Sequence, residues 1–83
     1  MPGFSAEDLE LLRRALPAGA ALKECRPGDP TVTFEVSVDT ITLVAREDGV
    51  GWEFERNPIV EWNRCDGVEP DVLAALRAAL ACA

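Results

Sequence analysis

The feature that most restricts the fold is an alternation of apolar and polar residues between Thr31 and Arg56. Successive side chains of a β-strand point to opposite faces of a sheet, so this pattern predicts strands with one apolar face. The apolar set occupies even positions first and odd positions later: Val32, Phe34, Val36 and Val38, then Ile41, Leu43 and Ala45. A change of parity requires either a turn or a bulge between Val38 and Ile41.

Asp39-Thr40 is the candidate for the first turn. A two-residue loop at this dipeptide gives the pairs Val38 with Ile41, Val36 with Leu43 and Phe34 with Ala45, all on one face. Because Asp-Thr is not a favoured hairpin dipeptide, a one-residue bulge within a single long strand is the alternative.

Asp48-Gly49 gives a stronger turn signal, because this dipeptide tolerates the positive φ that both central residues of a type I′ turn need. Its register pairs Ala45 with Trp52 and Leu43 with Phe54. Trp52 and Phe54 then join the apolar face, while Glu53 and Glu55 point to the opposite face.

Leucine periodicity predicts a helix near each end of the chain. The first helix covers Phe4 to Leu16, with Ser5 as its N-cap and Asp8 three residues later, in the position of a capping box. The second begins near Pro70, which suits the first helical position, and Asp71 suits its first turn. The apolar stripe of the second helix is Leu73, Leu76 and Leu80.

Together these elements predict one α+β domain over residues 1–83, a two-layer sandwich of order α-β-β-β-α. Both helices cover one face of a three-stranded antiparallel meander. A short extra edge strand at residues 20–25 or 59–65 is a further option. The longest apolar runs are far shorter than the roughly 20 residues of a membrane-spanning helix, so we expect no membrane insertion.

The net charge of −7, from fifteen acidic and eight basic residues, restricts the partners. Nucleic-acid binding depends on Lys and Arg that neutralise phosphates, and the only adjacent basic pair, Arg13-Arg14, lies in an acidic segment. We therefore expect no direct binding to nucleic acid or membrane. A basic protein partner is favoured, because an acidic surface accelerates encounter with it. Charge that serves only solubility is the alternative.

Cysteine usage indicates the cellular location. Cys25, Cys65 and Cys82 are odd in number and widely spaced, so at most one internal disulfide could form. Small disulfide scaffolds have denser and even cysteine counts. We therefore expect reduced, partly buried thiols and a cytoplasmic protein.

The sequence carries no catalytic or metal-binding pattern. It has no histidine, the commonest general base and metal ligand. No CxxC spacing indicates zinc or dithiol chemistry, and no glycine-rich phosphate loop is present. We therefore predict a protein that is not an enzyme, with no catalytic residues, no metal and no cofactor.

The outer face of the sheet is the first candidate binding surface. The register above places Glu35 and Glu53 opposite Val44 and Glu55 opposite Thr42, which clusters three carboxylates. Such a cluster suits the Lys and Arg side chains of a partner. An ordinary solvated face is the alternative.

Further residues extend this candidate site. Asp48 and Glu61 add acidic charge nearby, and Trp62 would supply an apolar anchor. Covering one end of the core is the alternative role of Trp62, which has no place in the strand register. The first strand is a second candidate surface, an edge open to homodimerisation or strand addition unless residues 20–25 pair with it.

The sequence thus predicts a small acidic protein-binding module. By analogy of size and charge, it would inhibit or neutralise a basic nucleic-acid-handling protein, as immunity proteins, antitoxins and phage-encoded inhibitors do. Its carboxylates would act as a nucleic-acid mimic in grooves that otherwise take phosphate. The alternative is a non-catalytic accessory or structural subunit that acts through homodimerisation or β-strand addition.

Overall fold

A computed structural model describes residues 2–37, 39–55 and 64–82. In chain order, the elements are α1 (Ala6–Ala15), β1 (Ala20–Leu22), β2 (Thr31–Val36), β3 (Asp39–Arg46), β4 (Gly49–Glu55), β5 (Arg64–Glu69) and α2 (Val72–Ala81). The strands form one antiparallel sheet in the order β1-β2-β3-β4-β5. The predicted α+β sandwich is confirmed, but the meander has a further strand at each edge. β1 lies within the optional segment 20–25, whereas β5 shares only residues 64–65 with the optional segment 59–65.

The helices pack on one side of the sheet. α2 lies against β3, β4 and β5, and α1 packs beside α2. The core between these layers consists of Phe4, Leu9, Leu12, Val32, Phe34, Ile41, Leu43, Val50, Phe54, Val72, Ala75, Leu76 and Ala79. Within the described residues, no helix is long and apolar enough to cross a membrane.

α1 begins at the predicted capping box. The backbone N–H of Asp8 donates to Oγ of Ser5 at 3.1 Å, and the N–H of Ser5 donates to Oδ2 of Asp8 at 3.0 Å. These bonds satisfy two N–H groups that have no partner within the helix. Leu9 and Leu12 of α1 are fully buried, as is Phe4 ahead of the cap.

α2 begins later than predicted, at Val72. Asp71 is its N-cap rather than a first-turn residue, and Oδ1 of Asp71 accepts a hydrogen bond from the N–H of Ala74 at 2.8 Å. Pro70 therefore precedes the helix instead of opening it. The most deeply buried residues are Val72, Ala75, Leu76 and Ala79, whereas Leu73 and Leu80 are half-buried. Small alanine side chains on the inner line let the α2 backbone approach the sheet closely.

The first hairpin turns two residues earlier than predicted. Val36 pairs with Asp39, and Phe34 pairs with Ile41 instead of Ala45. The turn therefore lies between Val36 and Asp39, where Ser37 has a φ of 60°, and a hairpin rather than a bulge separates the two strands. Val38 itself lies outside the described residues.

The second hairpin is displaced as well. Arg46 pairs with Gly49, so the two-residue loop is Glu47-Asp48 instead of Asp48-Gly49. Leu43 pairs with Trp52 rather than with Phe54. Gly49 has a φ of 143°, and a Cβ at this position would collide with the carbonyl oxygen of Glu69. Glycine is required here both by this positive φ and by the close passage of β5, although it does not occupy the centre of the turn.

A disulfide joins Cys65 of β5 to Cys82 at the C-cap of α2, with the two Cα atoms 6.5 Å apart. The expectation of reduced thiols is therefore wrong for these two residues. Within the described residues, Cys25 is the free cysteine, and it is half-buried. The cytoplasmic location rested on reduced thiols and stays a prediction.

Candidate functional site

The outer face, which is the face of the sheet turned away from the helices, carries three of the predicted site residues. Glu35 and Glu55 lie on either side of Thr40, and Glu53 lies opposite Thr42. These pairings replace the predicted ones because both hairpins turn earlier than expected. The three carboxylates still share one face, since each register shift is an even number of residues.

Glu35 has a partner within the molecule. The backbone N–H of Lys23 donates to the carbonyl of Thr33 at 2.9 Å, which extends the pairing of β1 with β2 by one residue. Lys23 then places Nζ 3.4 Å from Oε1 of Glu35. Both side chains are more than half exposed, so the pair adds only about 0–1 kcal/mol of stability. Its positive charge nevertheless balances Glu35, which therefore contributes less to an acidic surface than predicted.

Asp48 is also held within the molecule. Nε of Arg46 donates to Oδ1 of Asp48 at 2.9 Å, and Nη2 donates to Oδ2 at 3.4 Å. This forked contact closes the Glu47-Asp48 turn. The carboxylate of Asp48 therefore serves the turn and is balanced by the adjacent guanidinium.

The remaining predicted surfaces have different outcomes. Glu61 and Trp62 lie outside the described residues, and their roles stay predictions. β1 pairs with Phe34, Glu35 and Val36, so the segment at 20–25 covers much of the edge that the first predicted strand would have exposed. In the described part of the chain, the edges of the sheet are therefore β1 and β5.

β5 adds a carboxylate that is absent from the predicted set. Asp66 lies directly opposite Glu53, at a separation that places the two Cβ atoms roughly 4.5–5.5 Å apart. Asp66 is exposed and Glu53 is half-buried. Glu55 follows Glu53 by two residues on the same face. We refer to Glu53, Glu55 and Asp66 as the carboxylate cluster.

Asp66 was hard to predict because β5 lacks an apolar alternation. Its inward positions are Cys65, Gly67 and Glu69. The indole of Trp52 lies over Gly67, where an added Cβ would come within 2.7 Å of Nε1, and Nε1 donates to Oε2 of Glu69 at 3.4 Å. Trp52 thus covers the inner side of β5, so this strand does not need large apolar residues of its own. The signal that could have located β5 is Gly67, which has no side chain and lies opposite the large side chain of Trp52.

A shallow depression of about 400 Å³ lies beside the carboxylate cluster. Gly51 forms its floor, with Val44 and Val68 as its direct neighbours on the two adjacent strands, and Cδ of Arg46 lies 3.2 Å from where a Cβ on Gly51 would stand. Arg46, Glu53 and Asp66 complete the lining. Val68 is 44% exposed, one of two large apolar residues that reach the surface in the described residues. We refer to this feature as the Gly51 depression.

The chemistry available on this face is that of carboxylates beside apolar walls. Among the residues that the structure describes, no group of three or more Cys, Asp or Glu is placed to hold a metal ion. Comparison with protein-family models gives no match, and comparisons with curated proteins and with solved structures give none either.

Proposed function

We propose that this protein is a small binding module for a basic protein partner and that the outer face is its binding surface. The observation that carries the proposal is the position of Glu53 opposite Asp66 on a face that neither helix covers. Two carboxylates on neighbouring strands of an uncovered face present negative charge to a partner. Lys or Arg side chains placed against them would contribute favourable binding free energy.

The overall charge supports the same class of partner. A formal charge of −7 on 83 residues attracts basic proteins and accelerates their encounter. Within the predicted acidic set, Glu35 and Asp48 are balanced by Lys23 and Arg46. The proposal therefore rests on the position of the carboxylate cluster on the uncovered face, where Glu55 lies opposite Arg64 in the pairing of β4 with β5.

The finer proposal is that the partner handles nucleic acid and that binding inhibits it. A nucleic-acid groove is lined with Lys and Arg that contact phosphates, and binding to such a groove weakens steeply with salt. Carboxylates that enter the same groove would compete with phosphate and share this dependence. The complex should therefore lose affinity as the salt concentration rises.

Reversal of Glu53 and Glu55 to Lys tests the surface directly. The partner is first recovered from lysate of the native host at low salt, identified by mass spectrometry and purified. Its affinity for the wild type and for E53K/E55K is then measured at low and high salt. We expect a steep salt dependence for the wild type and loss of binding for the variant. Unchanged affinity of E53K/E55K at low salt would refute the proposal.

The matched control is E24K/E47K, because both of these glutamates are exposed and lie outside the carboxylate cluster. Each Glu→Lys change adds two charges, so both double variants have a formal charge of −3 instead of −7. Equal loss of binding in the control would show that net charge, not the outer face, determines recognition. Salt-independent self-association that both variants retain would instead favour an accessory subunit acting through homodimerisation or strand addition.

A further inference from the structure

We infer that the partner adds an extended segment to the sheet, antiparallel to β5, an inference that rests on the proposed function. In the described part of the chain, β5 is an edge of the sheet. An edge strand directs half of its backbone N–H and C=O groups away from the sheet, and these groups form a template for one more strand. In β5, Asp66 and Val68 provide them.

The direction of each backbone group follows from the hydrogen bonds across the sheet. In an antiparallel sheet, the N–H and C=O of one residue face one neighbouring strand, and those of the next residue face the other. The N–H of Ala45 in β3 donates to the carbonyl of Pro30, directly before β2, at 2.8 Å. Val44 therefore faces β4, where its partner is Gly51. Trp52 follows Gly51 in the chain, so the backbone groups of Trp52 face β5.

The same alternation fixes the backbone groups of β5. Gly67 pairs with Trp52, so its N–H and C=O face β4. A Cβ added at the start of β4 would collide with the carbonyl oxygen of Glu69, which therefore faces β4 as well. Asp66 and Val68 alternate with these residues, so their N–H and C=O groups face away from the sheet. Among the described residues, no strand pairs with this side of β5.

The opposite edge, β1, is a poorer template. The N–H of Lys23 bonds to β2, so Ala20 and Leu22 direct their backbone groups outward. The N–H of Ala20 already donates to the carbonyl of Pro17 at 3.1 Å. β5 has six residues instead of three and contains neither proline nor lysine, the residues that commonly protect an edge from pairing. An added strand therefore has more backbone groups to bond at β5.

The side chains beside this edge select a basic segment. Asp66 is exposed and Val68 is 44% exposed, two residues apart on the outer face. A Lys or Arg opposite Asp66 on the added strand would form a cross-strand charge pair, and a β-branched residue opposite Val68 would form an apolar pair. A second copy of this chain would instead bring another charge of −7 to the edge, which like charges oppose.

The probe is a terminally blocked peptide, KTVTKVTK, which places its third residue opposite Val68 and its fifth opposite Asp66 when it runs antiparallel to β5. N-methylation of the third and fifth residues removes N–H groups that would donate to β5. N-methylation of the fourth and sixth residues removes N–H groups that point away, so this peptide is the control of equal charge.

NMR titrations of the full chain compare the two methylated peptides. We expect the control peptide to shift the amide signals of Asp66 and Val68 and to bind at least fivefold more tightly than the peptide methylated at its third and fifth residues. Equal binding of the two peptides, or shifts confined to other surfaces, would overturn the inference.

Val68→Pro tests the edge with the purified partner. Proline removes the N–H that faces the open edge, where a sheet tolerates it, and changes no charge. We expect the affinity to fall about tenfold. Leu22→Pro, which removes an outward N–H from β1, is the matched control and should leave the affinity unchanged. If Val68→Pro does not fold, amide exchange of the wild type gives the same test: the N–H groups of Asp66 and Val68 should exchange more slowly in the complex, and unchanged exchange would overturn the inference.

The two sets of variants separate this inference from the proposed function. If E53K/E55K abolishes binding of the partner and Val68→Pro does not change it, the outer face binds but the partner adds no strand. If neither variant changes binding, the proposed function and the inference both fail. Loss in both variants, with Leu22→Pro unaffected, supports both. Self-association of the wild type that Val68→Pro abolishes would place a second copy at the edge and would overturn the inference.

Discussion

The two halves of the outer face, formed by β1–β2 and by β4–β5, differ in which charges lie next to each other. On the β1–β2 side, Glu35 has Lys23 at 3.4 Å, which is the arrangement that stability favours. On the β4–β5 side, Glu53 stands directly opposite Asp66, an arrangement that stability opposes. The β4–β5 half therefore brings two carboxylates together on the uncovered face, and we propose that this half meets the partner.

The edge strands of the two halves are also held differently. β1 has three residues and is attached to the sheet by its backbone pairing with β2. β5 has six residues, is joined to α2 through Cys65 and Cys82, and carries the indole of Trp52 over Gly67. The strand with the unfavourable charge therefore has two additional attachments. These attachments hold β5, and with it Asp66, beside β4.

Removing the disulfide, which holds the β4–β5 half, is expected to cause the largest loss of stability. A bond between residues 17 apart restricts the unfolded chain, so C65S/C82S should lower the free energy of unfolding by about 3 kcal/mol. Urea denaturation of the oxidised wild type and the variant measures the difference. Cys25→Ser is the control, because Cys25 is free and half-buried, and it should change little. Equal stability of C65S/C82S and the wild type would show that the bond does not fix β5.

Gly67→Ala is expected to have the next largest effect. A Cβ at residue 67 would lie 2.7–2.9 Å from three indole atoms of Trp52, so the ring must move and its contact with Glu69 is lost. We expect a loss of roughly 1–3 kcal/mol, as for other overpacked sites, and a shift of the NMR signal of the Trp52 indole N–H. Gly51→Ala is the control, because its Cβ meets only a flexible side chain at 3.2 Å. Similar losses for the two variants would mean that the Trp52–Gly67 contact has no special role.

The faces of the sheet could be predicted from sequence, but the registers could not. Alternation fixes which side of the sheet a residue faces, and Phe34 keeps its face whether it pairs with Ile41 or with Ala45. Only the residues of the turns could then distinguish one register from the other. Asp48-Gly49 predicted the wrong register because glycine is required where β4 begins, by its positive φ and by the close approach of Glu69, and not at the centre of the turn.

The candidate site was predictable to the same extent. Glu53 and Glu55 followed from parity alone, because they alternate with Trp52 and Phe54. Asp66 did not, since its strand takes its inner cover from Trp52 and so lacks an apolar pattern. The partners of Glu35 and Asp48 were also missed, because an ion pair between Lys23 and Glu35 depends on the pairing of β1 with β2, which the sequence left ambiguous.

The smallest expected effects come from removing one charge in each half. The free energy of unfolding should change with opposite signs in the two halves. Asp66→Asn removes the repulsion with Glu53 and should raise the free energy of unfolding by about 0.2–1 kcal/mol. Glu35→Gln removes the ion pair with Lys23 and should lower it by about 0–1 kcal/mol. Urea denaturation at low salt measures both changes, and both should shrink in 1 M salt, where surface charges are screened.

Binding separates the two variants further. Asp66→Asn should weaken the basic partner while it stabilises the fold, whereas Glu35→Gln should leave partner affinity nearly unchanged. A variant that gains stability and loses binding identifies a residue whose position is set by function rather than by folding. If Asp66→Asn instead destabilises the protein, the opposed carboxylates are not an unfavourable pair. The contrast between the two halves would then no longer support a binding surface at β4 and β5.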